Sequence, residues 1–172
     1  LTKDAALVSD LLKLLLKIRA KEAGVAAKLI ARSDELEALA AGVQRHWQTH
    51  GKADKLVMSF HGLPQRSVDR GDPYQTQCIA TAKILAGVLR LAPADYAVTF
   101  QSRFGAAKWL QPYTEPTLVE LARAGTRRVD VVCPGFVSDC LETLEEIAME
   151  ARRAFLERRD PAIAAILVYG PD

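Results

Sequence analysis

From about residue 55 onward, the sequence alternates between short apolar runs and stretches with helical periodicity. The apolar runs are Leu56 to Phe60, Tyr96 to Phe100, Val129 to Cys133 and Ile163 to Tyr169. The helical stretches between them are Gln77 to Leu91, Thr114 to Ala124 and Asp139 to about Arg158. Strands separated by helices of this length favour a parallel sheet with right-handed crossovers. We therefore predict an α/β fold, a single doubly wound, mostly parallel four-stranded sheet covered on both faces.

Two helices are predicted ahead of the sheet. Between residues 5 and 29 the leucines recur at helical spacing among lysines, which predicts an N-terminal amphipathic helical segment over residues 1–33. A second helix begins near Asp34, where Glu37 completes a capping box, and ends at Gly51. We assign residues 34–172 to one domain, because a chain of 172 residues is too short for two full-sized ones.

Composition excludes several classes of protein. The net charge of +2 comes from basic residues spread along the chain, so no patch for nucleic acid stands out. Since the sequence has neither a signal peptide nor an apolar run long enough to span a membrane, we expect a cytoplasmic protein. Three cysteines, Cys78, Cys133 and Cys140, fit reduced thiols. An iron–sulfur cluster is not expected, because it normally needs four thiolates.

The ends of the first and third strands are where a site is expected. In the common strand order 2-1-3-4, these two strands are neighbours, and the loops after them diverge to leave a crevice. The first loop begins at His61, and the second leads to the segment from Asp139 to Glu142. This order, which we assume, brings the imidazole and the carboxylates to one crevice.

His61 has two interpretations from its position alone. An imidazole directly after a buried strand can bind a metal or accept a proton near neutral pH. The alternative is a histidine that only caps or supports the following Gly-x-Pro turn.

A row of acidic residues starts the last predicted helix, at spacings of three and four that place them on one side. Its members are Asp139, Glu142, Glu146 and Glu150. The row is either a path for a divalent cation or for protons, or a capping box followed by a solvated face. Without further information, the second interpretation is favoured.

A long aromatic connection follows the second strand, from Phe100 through Phe104 and Trp109 to Tyr113. Loops of this length are usually functional or disordered, and the bulky side chains argue against disorder. The connection is therefore either a wall for a flat apolar ligand or a plug over the edge of the sheet.

Four ordered blocks of sequence resemble bacterial ferrochelatases. They are SFHGLP (59–64), GDPYQTQC (71–78), FQSRFG with WLQPYT (100–114) and CPGFVSDCLETLEEI (133–147). The resemblance runs from about residue 34 to 156, and it implies the C-terminal lobe of an enzyme of haem biosynthesis that inserts Fe(II) into a porphyrin.

The resemblance also implies roles for single residues. His61 matches the family's active-site histidine, which abstracts pyrrole protons or binds the metal, and Glu142 matches its partner carboxylate. With Glu146 they form the expected set of metal-contacting residues. The residues expected to shape the porphyrin pocket are Trp109, Phe136 and Asp139.

The expected substrates are ferrous iron and a porphyrin, either protoporphyrin IX or coproporphyrin III, with no further cofactor and no nucleic-acid partner. A porphyrin loses two N–H protons as iron enters, so the site needs a base and a route for the cation. Imidazole and carboxylate suit these tasks.

Two departures from the family qualify this expectation. The chain resembles only the second of two lobes, so we expect weak porphyrin binding and little turnover unless a first lobe or a homo-oligomer completes the cleft. Residues 1–33 faintly resemble the C-terminal helical region of ribonuclease D, and the sequence after about residue 158 is atypical. The alternative function is a non-catalytic binding or interaction module derived from a chelatase lobe.

Overall fold

The computed structural model describes residues 33–136, 140–158 and 166–169. The helices are α1 (Ser33–His50), α2 (Gln65–Asp69), α3 (Tyr74–Val88), α4 (Thr114–Arg123) and α5 (Arg152–Glu157), and a π-helix (Glu142–Ala151) runs directly into α5. The strands are β1 (Lys55–His61), β2 (Tyr96–Gln101), β3 (Val129–Val132) and β4 (Ile166–Tyr169). The helix predicted between residues 5 and 29 lies outside these ranges.

The strands form a parallel sheet in the order β2-β1-β3-β4. The predicted doubly wound α/β class is confirmed, and β1 and β3 are neighbours, as the assumed order requires. In the β1–β2 register, His61 stands opposite Gln101. The last residues of β1 and β2 therefore meet at the carboxyl edge of the sheet.

Alternating side chains of β1 divide the core into two halves. Leu56, Met58 and Phe60 are buried with residues of α1 and α3 on one face. Val57 is buried on the opposite face with residues of β3, α4, the π-helix and α5. Because side chains alternate along a strand, Ser59 and His61 share the face of Val57. The sheet pattern thus directs His61 toward the side that the π-helix covers.

A polar cluster occupies the opposite, amino edge of the sheet. Asp130 of β3 is fully buried, and its Oδ2 accepts a hydrogen bond from Trp47 Nε1 at 2.7 Å. Its Oδ1 lies 3.5 Å from the Arg128 guanidinium, which also donates to His46 Nε2 at 3.0 Å. This cluster joins α1 to β3 through side chains.

Several boundaries differ from the sequence prediction. Helix α3 begins one turn earlier than predicted, at Tyr74, where Asp72 accepts a hydrogen bond from the Tyr74 N–H. It also ends earlier, because Arg90 adopts a φ of +53° that no helix continues. Gly51 ends α1 as predicted, with a φ of +81°. Helix α2 was not predicted.

The last helical stretch is wound differently from the expected regular helix. Over Glu142–Ala151 it is a π-helix, and at its end the Arg152 N–H donates a hydrogen bond to the Ile147 carbonyl oxygen, five residues earlier. π-Helical segments are rare and occur frequently at functional sites. Among the helices in the described ranges, none is long and apolar enough to cross a membrane.

Candidate active site

His61 is the last residue of β1 and is half-buried. Its Nδ1 lies 2.7 Å from the Gly62 carbonyl oxygen. A carbonyl only accepts hydrogen bonds, so Nδ1 carries the proton in the neutral ring, and Nε2 keeps the lone pair. This tautomer leaves one ring nitrogen able to accept a proton or to bind a metal.

Two aromatic residues set the surroundings of His61. The Tyr74 hydroxyl donates to the His61 carbonyl oxygen at 2.9 Å, and burial raises the pKa of Tyr74, which keeps the phenol a donor. The Phe136 ring lies 6.3 Å from the imidazole, centroid to centroid. Phe136 therefore lies beside the histidine, and its predicted role in shaping the porphyrin pocket stays a prediction. Sequence reasoning did not identify Tyr74.

Glu142 opens the π-helix and lies close enough to His61 to interact with it electrostatically. Its pKa is lowered, first by a hydrogen bond from the Cys140 side chain and then by its own backbone N–H. Burial opposes these two effects, and the nearby His61 imidazole makes the smallest lowering contribution. The carboxylate is therefore ionised at neutral pH. His61 and Glu142 thus lie on the same side of the sheet, and their predicted catalytic partnership stays a prediction. Cys140, which sequence reasoning had treated only as a reduced thiol, is the nearest side-chain partner of Glu142.

Glu146 is held by the loop that follows β2. Its Oε2 accepts hydrogen bonds from the Ser102 N–H at 2.8 Å and from the Ser102 hydroxyl at 3.0 Å. Ser102 adopts a φ of +61°, a conformation that costs energy in a non-glycine residue and recurs at functional sites. Glu146 is therefore held about one helical turn after Glu142, and its carboxylate faces the loop that follows β2.

A cavity of about 300 Å³ lies beyond Glu146, between the π-helix and the β2 loop. Glu146 and Glu150 both line it, together with Arg103 and Tyr113, whose ring lies 4.7 Å from the guanidinium carbon. The acidic row thus extends from the side of His61 to this cavity. Asp139, the predicted first member of the row, lies outside the described residues.

The aromatic connection after β2 is fastened to the loop after β1. Leu110 donates its N–H to the Leu63 carbonyl at 2.9 Å, and Gln65 donates to the Lys108 carbonyl at 2.9 Å. The Trp109 side chain donates to the Phe104 carbonyl, and their rings meet edge to face at 6.0 Å. Leu110 is fully buried while Phe104 is 65% exposed, so the connection both closes the sheet edge and presents an aromatic surface.

Gly62 permits this fastening. A Cβ atom at position 62 would lie 2.7 Å from the Gln101 carbonyl oxygen and 3.3 Å from the Trp109 ring. Trp109 is therefore packed directly beside the residue that follows His61, on the same edge of the sheet. Its predicted place in the porphyrin wall stays a prediction.

The three cysteines have separate surroundings. Burial raises the pKa of the Cys78 thiol to about 12, so it stays protonated in its small cavity of about 160 Å³ against Tyr74. Cys133 is buried at the end of β3, and Cys140 lies beside Glu142. In the part of the chain that the structure describes, no three His, Cys, Asp or Glu side chains form a metal-binding group.

Comparison with known proteins identifies relatives of this chain. The family model described as ferrochelatase matches residues 19–166. The chain is 64% identical over 119 residues to a ferrochelatase of Aromatoleum aromaticum, and 63% identical over 122 residues to one of Polaromonas. A ferrochelatase of Bordetella pertussis is 60% identical over 121 residues.

The matches cover a large share of this chain but a small share of each relative. They take in 69%, 71% and 70% of this chain but 33% of each relative, so the chain spans about a third of the length of the relatives it matches. The family model spans strands β1 to β3, the loop of His61 and the π-helix, and it ends at the first residue of β4. This chain belongs to the ferrochelatase family.

Proposed function

We propose that this chain carries the catalytic base of a ferrochelatase and that the whole protein inserts Fe(II) into a porphyrin in haem biosynthesis. The observation that carries the proposal is the pairing of His61 with Glu142 at the carboxyl edge of the sheet. The Nδ1 proton is engaged by the Gly62 carbonyl, which leaves Nε2 to act on the substrate.

The chemistry needed is the removal of two N–H protons from the porphyrin as one Fe²⁺ enters. His61 Nε2 accepts a pyrrole proton, and the Glu142 carboxylate stabilises the imidazolium that results. The lowered pKa of Glu142 supports this role, because the carboxylate is charged when the proton arrives. His61 accepts the two protons one after the other and releases each to water along the acidic row, while the metal–nitrogen bonds take the place of the two N–H bonds.

The acidic row supplies the route to and from this pair. Oxygen ligands suit a hard or borderline divalent cation, and carboxylates also relay protons. Glu146 and Glu150 line the cavity behind the pair, and the Ser102 contacts hold Glu146 in place. We assign Asp139 to the same row from its position in the sequence.

The flat substrate requires an apolar wall beside the base. Trp109, Phe104 and Phe136 supply aromatic surface around the end of β1. One lobe offers only one such wall, so this chain alone is expected to bind porphyrin weakly and to turn it over slowly. A first lobe, or a second copy of the chain, completes the cleft in the proposed working protein.

The remaining features of the proposal follow from the family. Fe²⁺ is a substrate, no resident cofactor is required, and the chain acts in the cytoplasm on protoporphyrin IX or coproporphyrin III. Residues 34–172 form the lobe, and residues 1–33 are a separate helical segment. Bacterial relatives of the same family support the cytoplasmic assignment.

The decisive experiment restores a complete cleft. Residues 34–156 of this chain replace the matching segment of the Aromatoleum aromaticum ferrochelatase, and metal insertion is followed by the loss of porphyrin fluorescence. The chimaera is expected to turn over, and His61→Ala is expected to lower kcat by about 100-fold or more. His50→Ala is the matched control, because that exposed histidine lies at the opposite edge of the sheet.

An active chimaera that keeps its kcat after His61→Ala would refute the assignment of the base. Equal losses in the His61 and His50 variants would point to folding rather than chemistry. The isolated chain serves as a second measurement, with porphyrin binding expected to be much weaker than in the chimaera.

A second candidate function is that of a non-catalytic interaction module. Three large apolar side chains of the region around the π-helix are strongly exposed, at 70% for Leu141, 50% for Leu144 and 66% for Met149. Exposed apolar surface of this kind is typical of contact sites. Two measurements separate these functions. A stable dimer of the isolated chain, together with no metal insertion by the chimaera, would favour the interaction module.

A further inference from the structure

We infer that Gln101 is a positioning residue that holds Glu142 opposite His61, an inference that rests on the function proposed above. Gln101 is the last residue of β2 and is only 6% exposed. Its Nε2 donates to the Glu142 carbonyl oxygen at 3.0 Å. The Gln101 side chain thus spans from the sheet to the first residue of the π-helix.

The other end of the Gln101 amide is fixed to the strand that carries His61. Its Oε1 accepts a hydrogen bond from the Ser59 hydroxyl at 2.7 Å, and the Cys133 thiol lies 3.6 Å away as a second donor. Ser59 is two residues before His61 on the same face of β1. One buried amide therefore links the strand of the imidazole to the residue that bears the carboxylate.

The orientation of this amide follows from its neighbours. The Glu142 carbonyl only accepts, so the NH₂ group must face it, and the thiol of Cys133 then donates to the amide oxygen. The Thr114 hydroxyl oxygen lies 2.8 Å from the Ser59 oxygen and donates to Thr99 at 2.9 Å, so the Ser59 proton goes to the Gln101 amide oxygen. The direct partners of the Gln101 amide are therefore Ser59, Cys133 and the Glu142 carbonyl, and through them Gln101 joins the sheet to the start of the π-helix.

This position requires a side chain that both accepts and donates. Methionine has a similar length but does neither well, and an ionised glutamate accepts at both ends and repels the Glu142 carbonyl. Gln101 bonds the backbone carbonyl of Glu142, and the carboxylate belongs to the same residue. Holding this carbonyl therefore also limits where the carboxylate can lie. Without the hydrogen bond from Gln101, the first turn of the π-helix is expected to move, and the Glu142 carboxylate is expected to lose its fixed position relative to His61.

Zn²⁺ binding to this chain provides the test, because imidazole and carboxylate are both zinc ligands. Calorimetry measures the Zn²⁺ affinity of the wild type, Gln101→Met, Glu142→Gln and the double variant. Gln101→Met is expected to weaken Zn²⁺ binding about 10-fold, the effect typical of removing a residue that orients a ligand. In the Glu142→Gln background, the same change is expected to have almost no further effect.

Thr99→Val is the matched control. It removes a buried hydroxyl that accepts a hydrogen bond from Thr114 and takes no part in the bonds of the Gln101 amide, so the contact of Gln101 with Glu142 stays in place. It is expected to leave Zn²⁺ affinity unchanged. Gln101→Glu, which keeps the size of the side chain, is the second variant if Gln101→Met does not fold.

Equal losses of affinity in both backgrounds, or no loss in either, would overturn the positioning role. If Glu142→Gln alone leaves Zn²⁺ affinity unchanged, the proposed function fails, and hydrogen exchange then decides the role of Gln101. Faster amide exchange over residues 142–146 in Gln101→Met than in Thr99→Val supports it, and equal exchange refutes it.

Discussion

At the amino edge of the sheet, Asp130 is fully buried, with Trp47 bound to one carboxylate oxygen and Arg128 beside the other. At the carboxyl edge, His61 and Glu142 are both half-exposed. The first pair of charges serves mainly to join α1 to β3. The second leaves the imidazole and the carboxylate partly accessible to solvent, as binding or proton transfer requires.

Two histidines show the same contrast at the level of single atoms. His46 Nε2 accepts a hydrogen bond from Arg128, so the lone pair of that imidazole is occupied. His61 donates from Nδ1 to the Gly62 carbonyl oxygen, so the lone pair of its other nitrogen, Nε2, remains available. A histidine used for structure and a histidine available for chemistry therefore differ in which nitrogen the fold occupies, and sequence alone does not reveal this.

The largest expected effect compares the two carboxylates. Asp130→Ala leaves the Arg128 cation and the Trp47 N–H without their buried partner, and it is expected to lower the free energy of unfolding by about 3 kcal/mol. Glu142→Ala is expected to leave that free energy nearly unchanged, because its carboxylate is open to solvent. Urea unfolding of both variants measures the difference, and similar losses would remove the distinction between the edges.

The next expected effect compares two glycines. Gly62→Ala places a Cβ 2.7 Å from the Gln101 carbonyl oxygen, and the clash is expected to lower the free energy of unfolding by about 1–3 kcal/mol. It also pushes on Trp109, so the fluorescence of the aromatic connection should change. The size of the loss shows how closely the backbones of the loops after β1 and β2 pack at the carboxyl edge.

Gly87→Ala is the control for this change. Gly87 lies inside α3, and a Cβ there meets nothing within 4 Å. Alanine is the better helix former, so this variant is expected to raise the free energy of unfolding by about 0.5–1 kcal/mol. Opposite signs for the two glycines are the expected result; a harmless Gly62→Ala would mean that the loops at the carboxyl edge relax freely.

Much of the scaffold was accessible from the sequence. Apolar runs and helical periodicity predicted the α/β class, and the position of His61 after a buried strand directed attention to the carboxyl edge, where the candidate site lies. Gly51 was also informative: it was predicted to end α1, and it adopts a φ of +81°, which glycine reaches without strain. These features depend on local patterns that a linear sequence displays.

The details of the site depend on contacts between distant residues. The π-winding of Glu142–Ala151 leaves no periodic signal that separates it from an α-helix. The contacts of Glu146 with Ser102 and of Gln101 with Glu142 join residues more than 40 positions apart. Only the tertiary structure brings them together, so Ser102 and Gln101 could not be identified as site residues beforehand.

The smallest expected effect is a dependence of stability on pH at the amino edge. Burial lowers the pKa of His46 below its ordinary value of 6.5, the neighbouring His50 and Arg128 lower it further, and Asp130 opposes them. The unfolded chain therefore binds a proton at a higher pH than the folded one does. It follows that the stability is fully present above pH 6.5 and is lost as the pH falls through the lowered value.

His46→Gln isolates this contribution, because glutamine still offers Arg128 an acceptor but does not titrate. Urea unfolding at pH 7 and at pH 5 measures the free energy of unfolding of both proteins, and the groups they share cancel in the difference. The wild type is expected to lose more stability than His46→Gln on acidification. Equal losses would show that the amino edge tolerates a charged His46, and the contrast with the carboxyl edge would then rest on Asp130 alone.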